Sequence, residues 1–231
     1  MNEMTFNGVP FSNFNTFYDG SQLFEIPAKS VEFYQIPGKN GDLSISNDRY
    51  ENITLKVNCF IRENFIENFS NLINYLSSQS GYGRLEYSQE PTIFRNAEFV
   101  NAVVPETGTY IRYGTFTLEF NCKPQKWLKE GEIDRRVTST RVITNPTLFA
   151  SKPLIKVTGT GSMTINGTPM TLQNNTGATY IDCEIEDCYE GTINRNNDLL
   201  VPNGFPVLSP GSNSLSVSGC TIDVWCRWWK L

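Results

Sequence analysis

Apolar and polar positions alternate along much of this chain, and the alternation predicts strands before any other property is considered. From Ile53 to Ile61 every odd position is apolar (Ile53, Leu55, Val57, Cys59, Ile61) and the even ones are mostly polar. That is the signature of a strand with one buried and one wet face. Gly114–Cys122 repeats it with Phe116, Leu118, Phe120 and Cys122, and Pro124 is expected to end that strand. Val31–Ile36 and Leu43–Ile45 flank the turn Gly38-Lys39-Asn40-Gly41. Arg84–Tyr87 and Glu98–Val103 are further strand candidates. One segment departs from period two. Between Glu63 and Ser78 the apolar residues Phe65, Phe69, Leu72, Ile73 and Leu76 fall on one helical stripe, and Ser80-Gly81 offers a stop.

Residues 123–152 mix charge with a Thr/Ser run and read as a connection, with a domain boundary near residue 130. Beyond it lie short strands at Leu154–Val157, Gly161–Ile165, Thr179–Ile185 and Ser214–Val217. Asn166-Gly167 is a strong two-residue hairpin signal. The region Gly191–Gly204 reads as an ordinary loop, with a short arm as the alternative. The expectation is a mainly β protein: residues 1–130 as a β-sandwich or belt with one α-helix, and residues 131–231 as a second β-sandwich.

Composition narrows the chemistry. With 39% hydrophobic and 13% aromatic residues the chain can build real cores. It contains no histidine, which excludes Ser–His–Asp and Cys–His catalysis and mixed Cys/His zinc sites. Residues 1–125 hold nine Lys/Arg against fourteen Asp/Glu, the whole of the net charge of −5, while the remainder balances at ten of each. Without a Lys/Arg run, a phosphate-gripping surface is not expected. Six cysteines without CxxC spacing, in a chain showing neither leader nor membrane span, read as reduced and mostly buried thiols. Cys183–Cys188 and Cys220–Cys226 bridges stay open as alternatives. No cofactor or metal is expected.

Three groups of residues invite a functional reading. Asp182, Glu184 and Glu186 stand at i, i+2, i+4, so one strand face would carry all three; a solvated row fits better than a glycosidase pair or a calcium site. Trp225, Trp228 and Trp229 offer either a sugar-stacking platform or aromatic bulk for a last strand. The segment Met4–Tyr18 holds Phe6, Phe11, Phe14, Phe17 and Tyr18 with little polar cover. These rings are candidates for a contact with a neighbouring subunit, against packing within their own domain. Gly38-Lys39-Asn40-Gly41 lacks the GxxxxGK[ST] pattern and reads as a turn, not a phosphate loop.

Several stretches resemble siphophage distal tail proteins in ordered succession: Pro37–Leu43, Arg49–Asn52 and the strand through Cys59-Phe60, then Phe116–Pro124, then Asn145-Pro146 with Lys152–Gly161. Tyr180–Cys183, Phe205–Asn213 and Trp225–Trp229 complete the pattern. The resemblance implies a non-enzymatic virion protein of the tail tip or baseplate, assembled in the host cytoplasm. It implies that the first domain closes into a homohexameric ring and that the second is a galectin-like sandwich. The implied partners are the tail tube or major tail protein on one side and a tail-associated tip protein on the other, with a receptor-binding protein in some members. DNA would pass through without specific binding, and no membrane is involved. At this length no room is expected for an inserted carbohydrate-binding domain. The competing reading is a carbohydrate-binding host-adhesion module, and a cell-wall-degrading enzyme is a distant third.

Overall fold

A computed structural model describes residues 2–20, 25–101, 103–107, 112–175 and 177–231. The chain divides into two compact units, Met1–Lys126 with Leu231, and Trp127–Lys230. It is mainly β throughout, with one α-helix among the described residues.

The first unit contains β1 (Met4–Phe6), β2 (Val9–Pro10), β3 (Thr16–Tyr18), β4 (Lys29–Gln35), β5 (Asp42–Tyr50), β6 (Ile53–Ile61), helix α1 (Phe65–Ser78), β7 (Gly83–Tyr87), β8 (Ile93–Phe99), β9 (Glu106–Thr107) and most of β10 (Gly114–Leu128). Its main sheet has the order β2-β1-β7-β8-β10-β6-β3. The alternation in β6 and β10 is realised as predicted. Ile53, Leu55, Val57, Cys59 and Ile61 are buried, as are Phe116, Leu118, Phe120 and Cys122. The two strands pair antiparallel from Gly114↔Ile61 to Cys122↔Ile53.

Pro124 does not end β10, contrary to expectation. It lies past the last pair of the β6 ladder, so its missing N–H removes nothing from that ladder. The strand expected at Glu98–Val103 runs earlier, at Ile93–Phe99; Ala102 lies outside the described residues. Helix α1 buries Phe65, Leu72 and Leu76. Phe69 meets the Phe116 ring edge-on at 5.0 Å, and the Tyr75 hydroxyl donates to the Phe6 carbonyl at 2.6 Å. The helix therefore closes the apolar face of the sheet that the strand alternation creates.

The regular structure of the second unit consists, among the described residues, of strands and 3-10 turns. Much of the expected connection belongs to it, as β11 (Asp134–Val137) and β12 (Arg141–Asn145). Then follow β13 (Leu154–Thr158), β14 (Gly161–Ile165), β15 (Thr168–Leu172), β16 (Ala178–Asp182), β17 (Asp187–Glu190), β18 (Ile193–Asn194), β19 (Leu199–Leu200), β20 (Gly211–Ser218), β21 (Thr221–Trp225) and β22 (Trp229–Lys230). One sheet has the order β11-β21-β13-β16-β17-β18, the other β12-β20-β14-β15-β19. Both feed one core, with Ile155, Val157, Ile181 and Val224 from the first and Met163, Ile165, Met170 and Leu215 from the second.

Asn166 and Gly167 both take positive φ (49° and 80°), and Ile165 pairs directly with Thr168. That is the tight hairpin their sequence calls for. Gly191–Gly204 is more ordered than a plain loop: it carries β18, a 3-10 turn at Asn196–Asp198 and β19, tied by Arg195 to Glu190 at 2.8 Å and to Asp198 at 3.2 Å.

Candidate assembly surface

The aromatic N-terminal segment is folded inward. Phe6, Phe11 and Tyr18 are buried in the core of their own unit, and Phe6 packs against Phe120 at 5.6 Å. Phe14 is half-buried and stacks on Tyr75 at 5.6 Å; Phe17 is half-buried beside Phe60, with the Arg62 guanidinium 5.5 Å from each of the latter two ring centres. The side chains of Phe6, Phe11 and Tyr18 are thus not surface groups, and an exposed apolar face has to be sought elsewhere. β1 pairs with β2 on one side and with β7 on the other, which sets Phe6 on the core face, and β3 pairs with β6, which does the same for Tyr18.

That exposed face lies on β4 and β5. Among the described residues these two strands pair with each other and join none of the three larger sheets. They are exposed along nearly their whole length. In the ladder Tyr34 faces Leu43 and Glu32 faces Ile45, so these four side chains share one side, with Ile36 next along. Tyr34 is 49% exposed, Leu43 49%, Ile45 51% and Ile36 38%. The Tyr34 hydroxyl donates to the Glu32 carboxylate, which caps the apolar row with a polar end. The other side carries Phe33, 66% exposed, among Ser44, Ser46, Gln35 and Asp42. The turn at the tip holds Gly38 and Gly41 at φ 82° and 83°, and everything from Pro37 to Ile45 faces water. A two-stranded ribbon is marginal by itself in water, and contiguous exposed apolar side chains mark contact surfaces. Period two shows that the two sides of this ribbon differ. Only the register shows that Tyr34 of one strand and Leu43 and Ile45 of the other fall on one side.

The first unit also holds a groove of about 510 Å³. Asp19, Asn58, Glu106 and Thr117 contribute polar groups to it, beside Phe60 and Val104. Asn58 links the polar wall, accepting from the Thr117 hydroxyl at 2.9 Å and donating to Asp19 at 3.4 Å.

In the second unit the three tryptophans do not form one platform. Trp228 is buried in the core, with the Arg135 guanidinium 4.3 Å from its ring centre. Trp229 stacks on Phe149 at 4.3 Å and donates from Nε1 to the Ala150 carbonyl at 3.0 Å. Trp225 leans on Tyr180 at 6.4 Å, and Tyr180 stacks on Tyr189. Half-buried rings that lean on each other in this way offer edges more than open faces.

The expected row of Asp182, Glu184 and Glu186 does not exist. The strand ends at Asp182, and the chain turns through Glu186, which has φ 56°. Asp182 is buried and receives both ends of the Arg227 guanidinium, at 2.6 and 2.8 Å. Burial raises the pKa of this carboxyl, but the hydrogen bonds from Arg227 and the Glu184 N–H outweigh it and leave it below the ordinary value. Glu184 stays exposed, 3.6 Å from Arg227. No cluster of three metal-ligating side chains is present among the described residues.

All six cysteines are free thiols, five of them buried. Burial pushes Cys122 and Cys183 up to about 12, and Cys188 and Cys226 up to about 11. Such groups are inert fillers of an apolar interior.

Residues 8–122 match the family model described as the phage tail protein RIFT-related domain. No curated protein matches the chain in sequence. Among solved structures, the chain is similar to the Dit protein of phage SPP1, described as a paradigm of the hub adsorption apparatus in phages that infect Gram-positive bacteria. The TM-score is 0.76 at 16% identity, with 100% of both chains covered. It is also similar to chains of the phage p2 baseplate in its activated conformation, solved with calcium and with strontium. Both give a TM-score of 0.56 and 97% coverage of each chain, at 8% and 9% identity. At such identities the likeness is one of fold. Residues 8–122 thus carry the phage tail protein RIFT-related domain, and the chain as a whole has the fold of the SPP1 Dit protein.

Proposed function

We propose that this protein is a structural hub of the tail tip, whose first unit closes with copies of itself into a hexameric ring. The ring would join the tail tube, or major tail protein, to a tail-associated tip protein. The second unit, on this reading a galectin-like sandwich, would sit outside it. The observation that carries the proposal is the β4–β5 ribbon. Covering the four exposed apolar side chains of one side, Tyr34, Ile36, Leu43 and Ile45, would remove on the order of 400 Å² from water, or about 10 kcal/mol before the costs of association. A second copy is the natural cover, because a ring needs one patch of each subunit to meet a different patch of the next. The resemblance to a hub protein of known structure supports the same reading. The acidic balance of the first 125 residues suits a channel that DNA crosses without adhering.

The test is the mass of the purified protein by native mass spectrometry and light scattering, for the parent and for a Tyr34→Ser/Leu43→Ser/Ile45→Ser variant. The parent should give a hexamer. The variant should be a monomer with unchanged helix ellipticity and tryptophan fluorescence. A variant that assembles like the parent would refute the role of this face.

A further inference from the structure

The chain contains four Asn-Gly pairs: Asn7-Gly8, Asn40-Gly41, Asn166-Gly167 and Asn203-Gly204. In such a pair the glycine backbone nitrogen can reach the side-chain carbonyl carbon of the preceding asparagine, because no Cβ stands in the way. All four pairs are exposed, so access to water does not separate them. Hydrogen bonding does. The Asn7 side chain accepts from the Arg84 N–H at 2.7 Å and donates to Gln79 at 2.9 Å. That of Asn166 accepts from the Ser214 N–H at 3.0 Å and donates to the Val207 carbonyl at 3.1 Å and to Asn213 at 2.6 Å. At Asn203-Gly204 the attacking nitrogen is the group that is held: the Gly204 N–H donates to the Val201 carbonyl at 3.1 Å. At Asn40-Gly41, neither the asparagine side chain nor the glycine N–H has a hydrogen-bond partner among the described residues. This pair lies at the tip of the β4–β5 ribbon, beyond the last rung of its ladder, Gln35↔Asp42.

We infer that Asn40 is the residue at which the folded protein deamidates spontaneously. The Gly41 amide gives up its proton, and its nitrogen bonds to Asn40 Cγ. The side-chain nitrogen leaves with that proton as ammonia, and a succinimide ring is closed. Water then opens the ring at one of its two carbonyls. Opening on the side-chain side gives aspartate at position 40. Cleavage of the original peptide bond gives isoaspartate, whose main chain runs through the former side-chain methylene. The ribbon holds Lys29, Lys39 and Arg49 against Glu32, Asp42 and Asp48, so the reaction takes it from neutral to one negative charge and sets a new carboxylate beside Lys39. The tip thereby records the time since the chain folded. The inference goes beyond the hub reading and does not rest on it.

The experiment ages the full-length protein in mildly alkaline buffer, folded and in guanidinium chloride. Each Asn-Gly pair is followed by peptide mapping with mass spectrometry, and isoaspartate is confirmed by enzymatic methyl transfer to its carboxylate. In the folded protein Asn40 should convert about tenfold faster than Asn7 and Asn166 and roughly fivefold faster than Asn203, the ratios expected where one or more hydrogen bonds must first open. In guanidinium chloride, where those bonds are gone, the four rates should draw together. If Asn7, Asn166 or Asn203 converts as fast as Asn40 in the folded protein, the ribbon tip is not the selected site. If Asn40 leads by the same ratios in guanidinium chloride, the neighbouring sequence and not the fold selects it, and the inference fails equally.

Discussion

Arg95 occupies a position where a charge is costly. Its side chain is fully buried on β8, on the same side of the strand as Ile93 and Ala97. Only Nε finds a partner, the Tyr87 hydroxyl at 3.4 Å, while both terminal nitrogens lack one among the described residues. Tyr87 in turn donates to Glu90 at 2.8 Å, and that carboxylate already faces the Lys126 ammonium at 3.1 Å. Two cations thus draw on one carboxylate, Arg95 only through the phenol. Arg95→Met keeps the length and most of the volume. It forfeits one long hydrogen bond, worth no more than about 1 kcal/mol, and relieves two buried donors at about 1–3 kcal/mol each. The expected net gain is about 1–5 kcal/mol, or roughly 2–20 °C in Tm.

The assay can assign that gain to one unit. All four tryptophans (Trp127, Trp225, Trp228, Trp229) lie in the second unit, whereas α1 lies in the first. Far-UV ellipticity of the helix should therefore show a shifted thermal transition and tryptophan fluorescence an unshifted one. A lower helix transition in Arg95→Met would refute the reasoning, because it would mean that the guanidinium is compensated where it sits.

Other expectations concern the second unit and the thiols. Asp182→Asn should destabilise the second unit by about 2–4 kcal/mol near neutral pH, because it leaves the Arg227 guanidinium without its charged partner. The native Asp182 has a lowered pKa, so its contribution is complete above the unfolded value of about 3.9 and is lost as pH falls through the lower folded value. Denaturation followed by tryptophan fluorescence should accordingly show a flatter acid limb in the variant. Gly167→Ala meets no atom within 4 Å but must adopt φ +80°, so urea titration should give a loss of about 1–2 kcal/mol from backbone strain alone. In a thiol-reagent assay on the folded protein only Cys220, which is half-exposed, should react promptly. Denaturant should release the other five. Fast modification of Cys122 or Cys183 would contradict their burial.

The parts of the fold that are legible in the sequence are those where one side meets a core. Ile53–Ile61, Gly114–Cys122 and the stripe of α1 each show their buried side in their own spacing, and Asn166-Gly167 specifies its turn. What escapes depends on partners distant in the chain. The rings of Phe6, Phe11 and Tyr18 look uncovered in sequence because their cover comes from β7, β10 and α1. Asp182 looks like one of a row because its ligand, Arg227, lies 45 residues away. Ile93–Phe99 contains a charge in mid-strand, which argues against a buried strand. The β4–β5 ribbon reads as two strands, but nothing local to it says that no core lies behind it.

That ribbon also supplies a criterion for completion. In a growing arc of the proposed kind, one end subunit always shows an uncovered hydrophobic tongue and the other the bare patch that would receive it. Both disappear together only when the last subunit joins the first. The number of copies need not be counted by any separate factor: curvature sets it, and closure abolishes the surface that recruits the next molecule.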